Sequence, residues 1–355
     1  MTIPFNLSKF ADYLNASGNA NPLVASDQTN TSTGSLGLPY GTTAQRPASP
    51  AAGYTRINTT TGVVEVYYNG TWNTVYTFAP SSTPTVEYLV VAGGGGGGQY
   101  ANYPGAGGGG GGYLTATGFA VTSGVALTVT VGAGGVGGIL KSSAPSNGSN
   151  SGFNTITSIG GGASSYDFGG TPFSGSNGGS GGGGCTNTGT AGGNGLGTSG
   201  QGYNGGYEPT SSGGVAGGGG GAGSLGVNGV GSVAGNGGNG LTSSISGSSI
   251  GRAGGGGGGV AYGGTAGIAT SGGGAGNVNG NGFDATVNTG GGGGGGGYPN
   301  YPPVAKSGGA GGSGIVILRY ADTYPAATST TGSPTITVAG GYRVYTFTAS
   351  GSITF

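Results

Sequence analysis

The sequence predicts a mostly β protein built around an irregular glycine-rich region. The parts are a small N-terminal β-meander, a polyglycine-II helix bundle closed by β-strands, and a C-terminal β piece, with little or no helix. Three observations lead there. Glycine supplies 99 of the 355 residues and is crowded into runs, while proline supplies only 16. Stretches of β-branched and aromatic residues flank the crowded part on both sides. Eight basic and eight acidic residues stand against 20 Tyr, 10 Phe and one Trp, the opposite of the charged, aromatic-poor composition of disordered tracts.

Residues 1–40 read as an N-terminal anchor and linker. Leu7, Phe10 and Leu14 have the spacing of one short amphipathic helix, and an Asn/Thr/Ser-rich stretch continues to Ser35. Residues 41–85 read as a three-stranded meander with strands at Tyr54–Asn58, Val63–Tyr68 and Thr71–Phe78. Asn69-Gly70 between two strand-like runs is the strongest short hairpin signal. Residues 86–320 form the glycine-rich domain. It opens with the apolar strand Val86–Ala92, contains Val125–Val131, and closes with Ile315–Tyr320. Tyr88–Val91 and Ile315–Leu318 are expected to pair and close the region like a clasp. In 321–355, Thr335–Val338 and Tyr342–Phe347 supply the last strands.

Between the clasp strands lie the runs Gly93–Gly98, Gly107–Gly112, Gly181–Gly184, Gly217–Gly221, Gly254–Gly259 and Gly291–Gly297. Without a Gly-X-Y period and with little proline they cannot form collagen. Each fixed residue forfeits about 1–2 kcal/mol of backbone entropy, and glycine has no side chain to bury in return. The backbone must then supply the cohesion. Threefold polyglycine-II helices pack side by side because no Cβ intervenes, and bond N–H to C=O between neighbours, with Cα–H···O contacts adding a little. A seven-glycine run would span roughly 20 Å at about 3.1 Å per residue. The other residues are expected on outer faces or in turns.

The aromatics sit in those connections. Tyr100 and Tyr103 follow the first glycine run, and Tyr298 and Tyr301 follow the last, both in the pattern Tyr-x-Asn-Tyr-Pro. Tyr166, Phe168, Tyr203, Tyr207 and Tyr262 mark similar polar-aromatic insertions. Loops on a rigid scaffold are the usual place for recognition. Tyrosine offers a flat apolar face and a hydroxyl at small entropic cost. These nine residues are candidate receptor contacts; the alternative is that they merely cover the glycine lattice.

Composition also excludes much. With no histidine and Cys185 as the only cysteine, one chain cannot assemble imidazole or thiolate metal sites, or a Ser-His or Cys-His nucleophile pair. The balanced charge gives no footprint for nucleic acid. No window of about 20 apolar residues would insert in a membrane. The N-terminus lacks the apolar core of a secretory signal, so a role outside the cell would need another exit, such as lysis. Isolated carboxylates argue against a glycosidase pair, so neither an enzyme nor a cofactor is expected. Asp167, Glu208 and Asp284 read as solvated rather than calcium ligands. Cys185 reads as a small buried filler or a tip residue, and Arg319 and Arg343 as making exposed or inter-chain pairs.

Two segments carry a resemblance. Arg46-Pro47, Gly53-Tyr54, Arg56-Ile57-Asn58, Thr61-Gly62, Glu65-Val66-Tyr67 and Trp72 resemble a module common in bacteriophage fibre and virion structural proteins. Val86–Ala92 followed by glycines, Gly311–Tyr320 and Tyr342–Phe355 are similar to the glycine-rich domain of phage tail proteins. The architecture resembles the distal adhesins of T-even-type phages, whose polyglycine-II scaffold carries variable aromatic loops. That resemblance implies a non-enzymatic short tail fibre in the virion, extracellular after lysis. It implies a homotrimer, other virion proteins held through the N-terminal region, and a host cell-surface receptor such as a polysaccharide or outer-membrane component. Two alternatives are a capsid-decorating head fibre of the same fold and a self-assembling glycine-rich structural or ice-binding protein. The irregular Tyr-Pro loops fit poorly with the flat regular face that ice binding requires.

Overall fold

The computed structural model describes residues 38–77, 83–99, 103–139, 142–168, 171–187, 190–191, 193–208, 214–298 and 306–355. The predicted helix and linker before residue 38, and the candidates Tyr100 and Tyr301, lie outside these. The chain divides into two units, Met1–Phe78 and Ala79–Phe355.

The described part of the first unit is a four-stranded sheet, β1 (Tyr40–Gly41), β2 (Thr55–Asn58), β3 (Val63–Tyr68) and β4 (Thr71–Thr77), in that order. The expected meander is β2 to β4, all antiparallel, with a bulge between Val64 and Glu65. β1 adds a parallel edge that two residues could not announce. At the β3–β4 turn Asn69 and Gly70 have φ of 52° and 76°, the left-handed pair of a type I′ hairpin. Beneath the sheet lies a polar knot. Arg46 grips Glu65 with Nε at 3.1 Å and Nη2 at 2.5 Å, and Asn58 Nδ2 donates to the same carboxylate at 3.1 Å. Glu65 and Asn58 are buried, so their satisfaction by these bonds is a condition of folding. The Arg46 bonds hold the Glu65 carboxyl below the usual carboxylate range against the opposing effect of burial.

The second unit runs through β5 (Thr85–Val91), β6 (Tyr113–Ala120), β7 (Ala126–Thr130), β8 (Ser151–Phe153) and β9 (Ile156–Ser158). Three short hairpins follow: β10 (Tyr166–Phe168) with β11 (Thr171–Phe173), β12 (Thr186–Asn187) with β13 (Thr190–Ala191), and β14 (Leu241–Ser243) with β15 (Ile250–Arg252). The last strands are β16 (Ile315–Ala321), β17 (Ser329–Thr331), β18 (Thr335–Ala339), β19 (Tyr342–Phe347) and β20 (Gly351–Thr354). One sheet has the order β18-β19-β16-β5-β6 and the other β17-β20-β7-β8-β9. The clasp forms as expected: β16 pairs antiparallel with β5, Ile315 opposite Val91 and Leu318 opposite Tyr88. The two sheets share one core, in which Val86, Val90, Val316 and Phe347 of the first meet Leu127, Val129, Phe153 and Ile353 of the second. Alternation turns Leu89, Val91, Ile317 and Val344 to the other face, where Ile245, Ala222 and Ala253 cover them.

The register also revises the reading of Arg319. It stands opposite Glu87, pairs with it within the chain at 2.5 Å, and lies 4.4 Å from the centroid of the Tyr342 ring. The pair is neither inter-chain nor left to solvent.

The glycine runs form the lattice their composition requires. Along Gly107–Gly112 the direction of bonding repeats every third residue. Gly107 and Gly110 donate to Gly217 and Gly220 at 3.1 and 2.9 Å. Gly108 and Gly111 donate to Gly293 and Gly290, and Gly109 and Gly112 to Gly162 and Ile159, all at 2.8 Å. Its carbonyls accept from Gly183 and Ser180, from Gly256, and from Gly95 and Ala92. Six neighbouring segments therefore surround this run, three taking its N–H groups and three filling its carbonyls. This is the threefold helix in hexagonal packing. A Cβ at Gly256 would overlap the Gly293 carbonyl, and one at Gly294 the Ala275 carbonyl, so the spacing admits only glycine there. The expectation that other residues stay outside is too strict. Ala106, Cys185 and Ala216 are buried together, and Ser164, Ser165 and Ser180 are each buried as well. Small side chains are accommodated within the lattice, as at Ser180, whose N–H donates to Gly110 and whose carbonyl accepts from Gly162.

Candidate functional site

The direction of each lattice segment follows from the bonds. Gly93–Gly98 leaves the clasp strand β5, and 105–112 returns antiparallel to it into β6, with Gly98 donating to Ala106 and Ala92 to Gly112. Segment 306–314 likewise returns into β16, and β7, β8 and β9 all join the lattice at that same end. The opposite end carries turns and short hairpins among the described residues. Gly105 donates to Gly296 there, Gly259 to Gly105, Ser165 to Gly183 and Gly217 to Gly184. The connections around Tyr103, the β10–β11 hairpin, Tyr207, Val230–Val233, Tyr262 and Tyr298 thus share the end remote from the two sheets.

Tyr262 is the most exposed aromatic there among the described residues, at 61%, and has φ 55°. A bulky residue in the left-handed region is strained, and such strain concentrates at functional positions. Its ring meets Tyr298 edge-on at 5.9 Å. Tyr298 itself is buried and acts as the support. On the β10–β11 hairpin, Tyr166 stacks on Phe173 with centroids 4.7 Å apart and planes 8° from parallel. Phe173 is exposed and belongs with the candidates, although it was not singled out from sequence; its cross-strand pairing with Tyr166 becomes visible only once the hairpin is known. Phe168 lies in β10. Tyr103 is half-buried against Ala106, Cys185 and Ala216. Tyr207 is exposed, with its N–H donating to Asn228 Oδ1 at 3.0 Å.

Tyr203 is not brought to this end. Residues 203–208 form a lattice segment rather than a loop: Gly181 donates to Tyr203 and Gly184 to Gly206. Tyr203 begins that segment, near the sheets, where it lines a separate surface cleft with Gln201 and Leu225. Glu208, expected to be solvated, is buried, because the segment carries it inward at its far end. Its carboxylate and, above all, burial push the Cys185 thiol upward. Asp284 accepts the Ala310 N–H at 2.7 Å. Among the described residues no three His, Cys, Asp or Glu side chains gather as a metal site, and no helix is long and apolar enough to cross a membrane.

The arrangement offers a surface of aromatic rings on a rigid backbone lattice, suited to stacking and hydroxyl contacts. No curated protein matches the chain. The family described as a glycine-rich domain (Gly_rich_2) matches residues 69–321, which include the clasp, the lattice and every one of the nine candidate residues. With more than half of its length matched, the chain belongs to this glycine-rich domain family.

Proposed function

We propose that this chain is a non-enzymatic bacteriophage virion fibre, a short tail fibre or adhesin, that binds the host cell surface through the aromatic loops of its lattice. One observation carries the reading: the turns bearing Tyr103, Tyr166, Phe173, Tyr207, Tyr262 and Tyr298 collect at the end remote from the sheets. A lattice held by backbone bonds can vary its turns without disturbing its packing, which is what a receptor-binding surface under changing demands requires. Phenol rings stack on sugar faces and bond their hydroxyls, so a surface polysaccharide is the ligand class favoured. One such surface binds weakly, and several copies per particle would supply avidity. The N-terminal region would hold the fibre to other virion proteins, as a homotrimer.

The test is to image purified particles decorated with antibody fragments raised against 93–314. Label at a tail tip or baseplate is the expected result. Label spread over the capsid would replace this reading with the head-fibre one, and particles without label would overturn both.

A further inference from the structure

We infer that the N-terminal sheet carries a second binding site, independent of the aromatic loops, which takes an extended proline-rich segment of a partner protein. A cleft of about 480 Å³ opens on this sheet, walled by Pro39, Tyr40, Pro47, Tyr54 and Trp72, with Gln45 at its margin. Tyr40 is 80% exposed and Tyr54 47%, a large apolar area for a unit of this size. Trp72 is held in place by Tyr67, ring centroids 5.5 Å apart, and by the Arg46 guanidinium, 5.7 Å from its ring centroid. Trp72 is therefore a fixed ring at the centre of the aromatic wall.

The cleft is lined by open hydrogen-bond donors. Several acceptors at or beside it are engaged: Gln45 Oε1 takes the Thr42 N–H at 2.8 Å, the Gln45 and Thr42 carbonyls take Arg56 at 2.8 and 3.0 Å, and the Gly53 carbonyl takes Thr55 Oγ1 at 3.1 Å. Among the described residues no hydrogen bond engages the Trp72 indole N–H or the Tyr40 and Tyr54 phenols. A ligand that brings carbonyl acceptors and apolar rings would meet these donors and these walls. Polyproline II is that ligand: its prolines lack N–H, its carbonyls point outward unbonded, and its conformation is already ordered. Grooves of aromatic rings are the known way to read it.

Trp72 is the only tryptophan, so its emission reports on this cleft alone. Titration of the full chain with acetylated decaproline is expected to change that emission saturably. Tyr40→Ala, which removes a ring that is mostly in solvent, should weaken binding at least about tenfold while leaving the unliganded emission and melting temperature unchanged. Tyr54→Phe, which deletes only a hydroxyl, should weaken it less. No response to decaproline, or equal binding by both variants and parent, overturns the assignment. A response to maltoheptaose in preference to decaproline also overturns it, in favour of a sugar. Tyr262 and its neighbours lie in the other unit, so substitutions there should leave this titration unmoved.

Discussion

Cys185 shows how a residue's role depends on partners that are distant in sequence. In the chain it stands between Gly184 and Thr186, and what fills the space around it, Ala106 and Ala216, comes from other runs. Sequence alone therefore left it open between a filler and a tip residue. Its thiol is fully buried, 3.9 Å from the Val215 carbonyl, and burial raises its pKa. Iodoacetamide at neutral pH is expected to leave it unmodified in the native protein and to modify it completely in denaturant, as mass spectrometry would read. Rapid labelling of the native chain would contradict its placement. Glu65 gives a second prediction. Its folded pKa is lowered by Arg46, so the unfolded chain binds the proton more readily. The stabilisation is complete above the ordinary carboxylate pKa of about 4.3 and is lost as pH falls through the lower folded value. Trp72 emission, followed during acid titration of the parent and of Glu65→Gln, should show the parent alone losing stability across that window. The Tyr/Phe candidates were legible as a class, because aromatic residues between glycine runs stand out. Their exposure was not: Tyr298 and Tyr262 look alike in sequence, yet one ring supports the other.

Among the elements, the clasp was readable because Val86–Ala92 and Ile315–Tyr320 are unbroken apolar strands at the borders of the glycine. The hairpin at Asn69-Gly70 was readable from its turn chemistry. β6 was missed, since Thr115-Ala-Thr-Gly118 lacks the apolar alternation of a strand and pairs with β5 because the lattice delivers it there. Ile317 is fully buried in the clasp, and Ile317→Ala should cost about 2–5 kcal/mol in thermal or denaturant unfolding. The lattice is more sensitive. Gly256→Val and Gly294→Val place branched side chains against the carbonyls of Gly293 and Ala275, and a soluble native chain is not expected from either. Gly53→Ala, at a turn with φ 87° and open space around it, is the control. It should cost only about 1 kcal/mol, the left-handed backbone penalty, and keep the fold. Equal melting of the Gly256→Val variant and the parent would refute backbone packing as the source of stability.

For the whole second unit, cohesion and display are divided. The two sheets and the hydrogen-bonded glycine segments hold the structure, and the remote turns are released from that duty. The runs made the lattice foreseeable, but not the order in which its segments neighbour one another, because glycine carries no side-chain pattern to specify a register. That order decides which tyrosines meet, and it removes Tyr203 from the group. The claim that this remote end binds the host is tested most directly by the adsorption of particles carrying Tyr262→Asn together with Tyr207→Ala. Asparagine tolerates the positive φ at 262 better than tyrosine does, and both rings are mostly in solvent or at the surface, so the melting temperature should hold or rise. Adsorption is predicted to fall at least about tenfold. Unchanged adsorption with an unchanged melting temperature would contradict the account and return these rings to the role of covering the lattice.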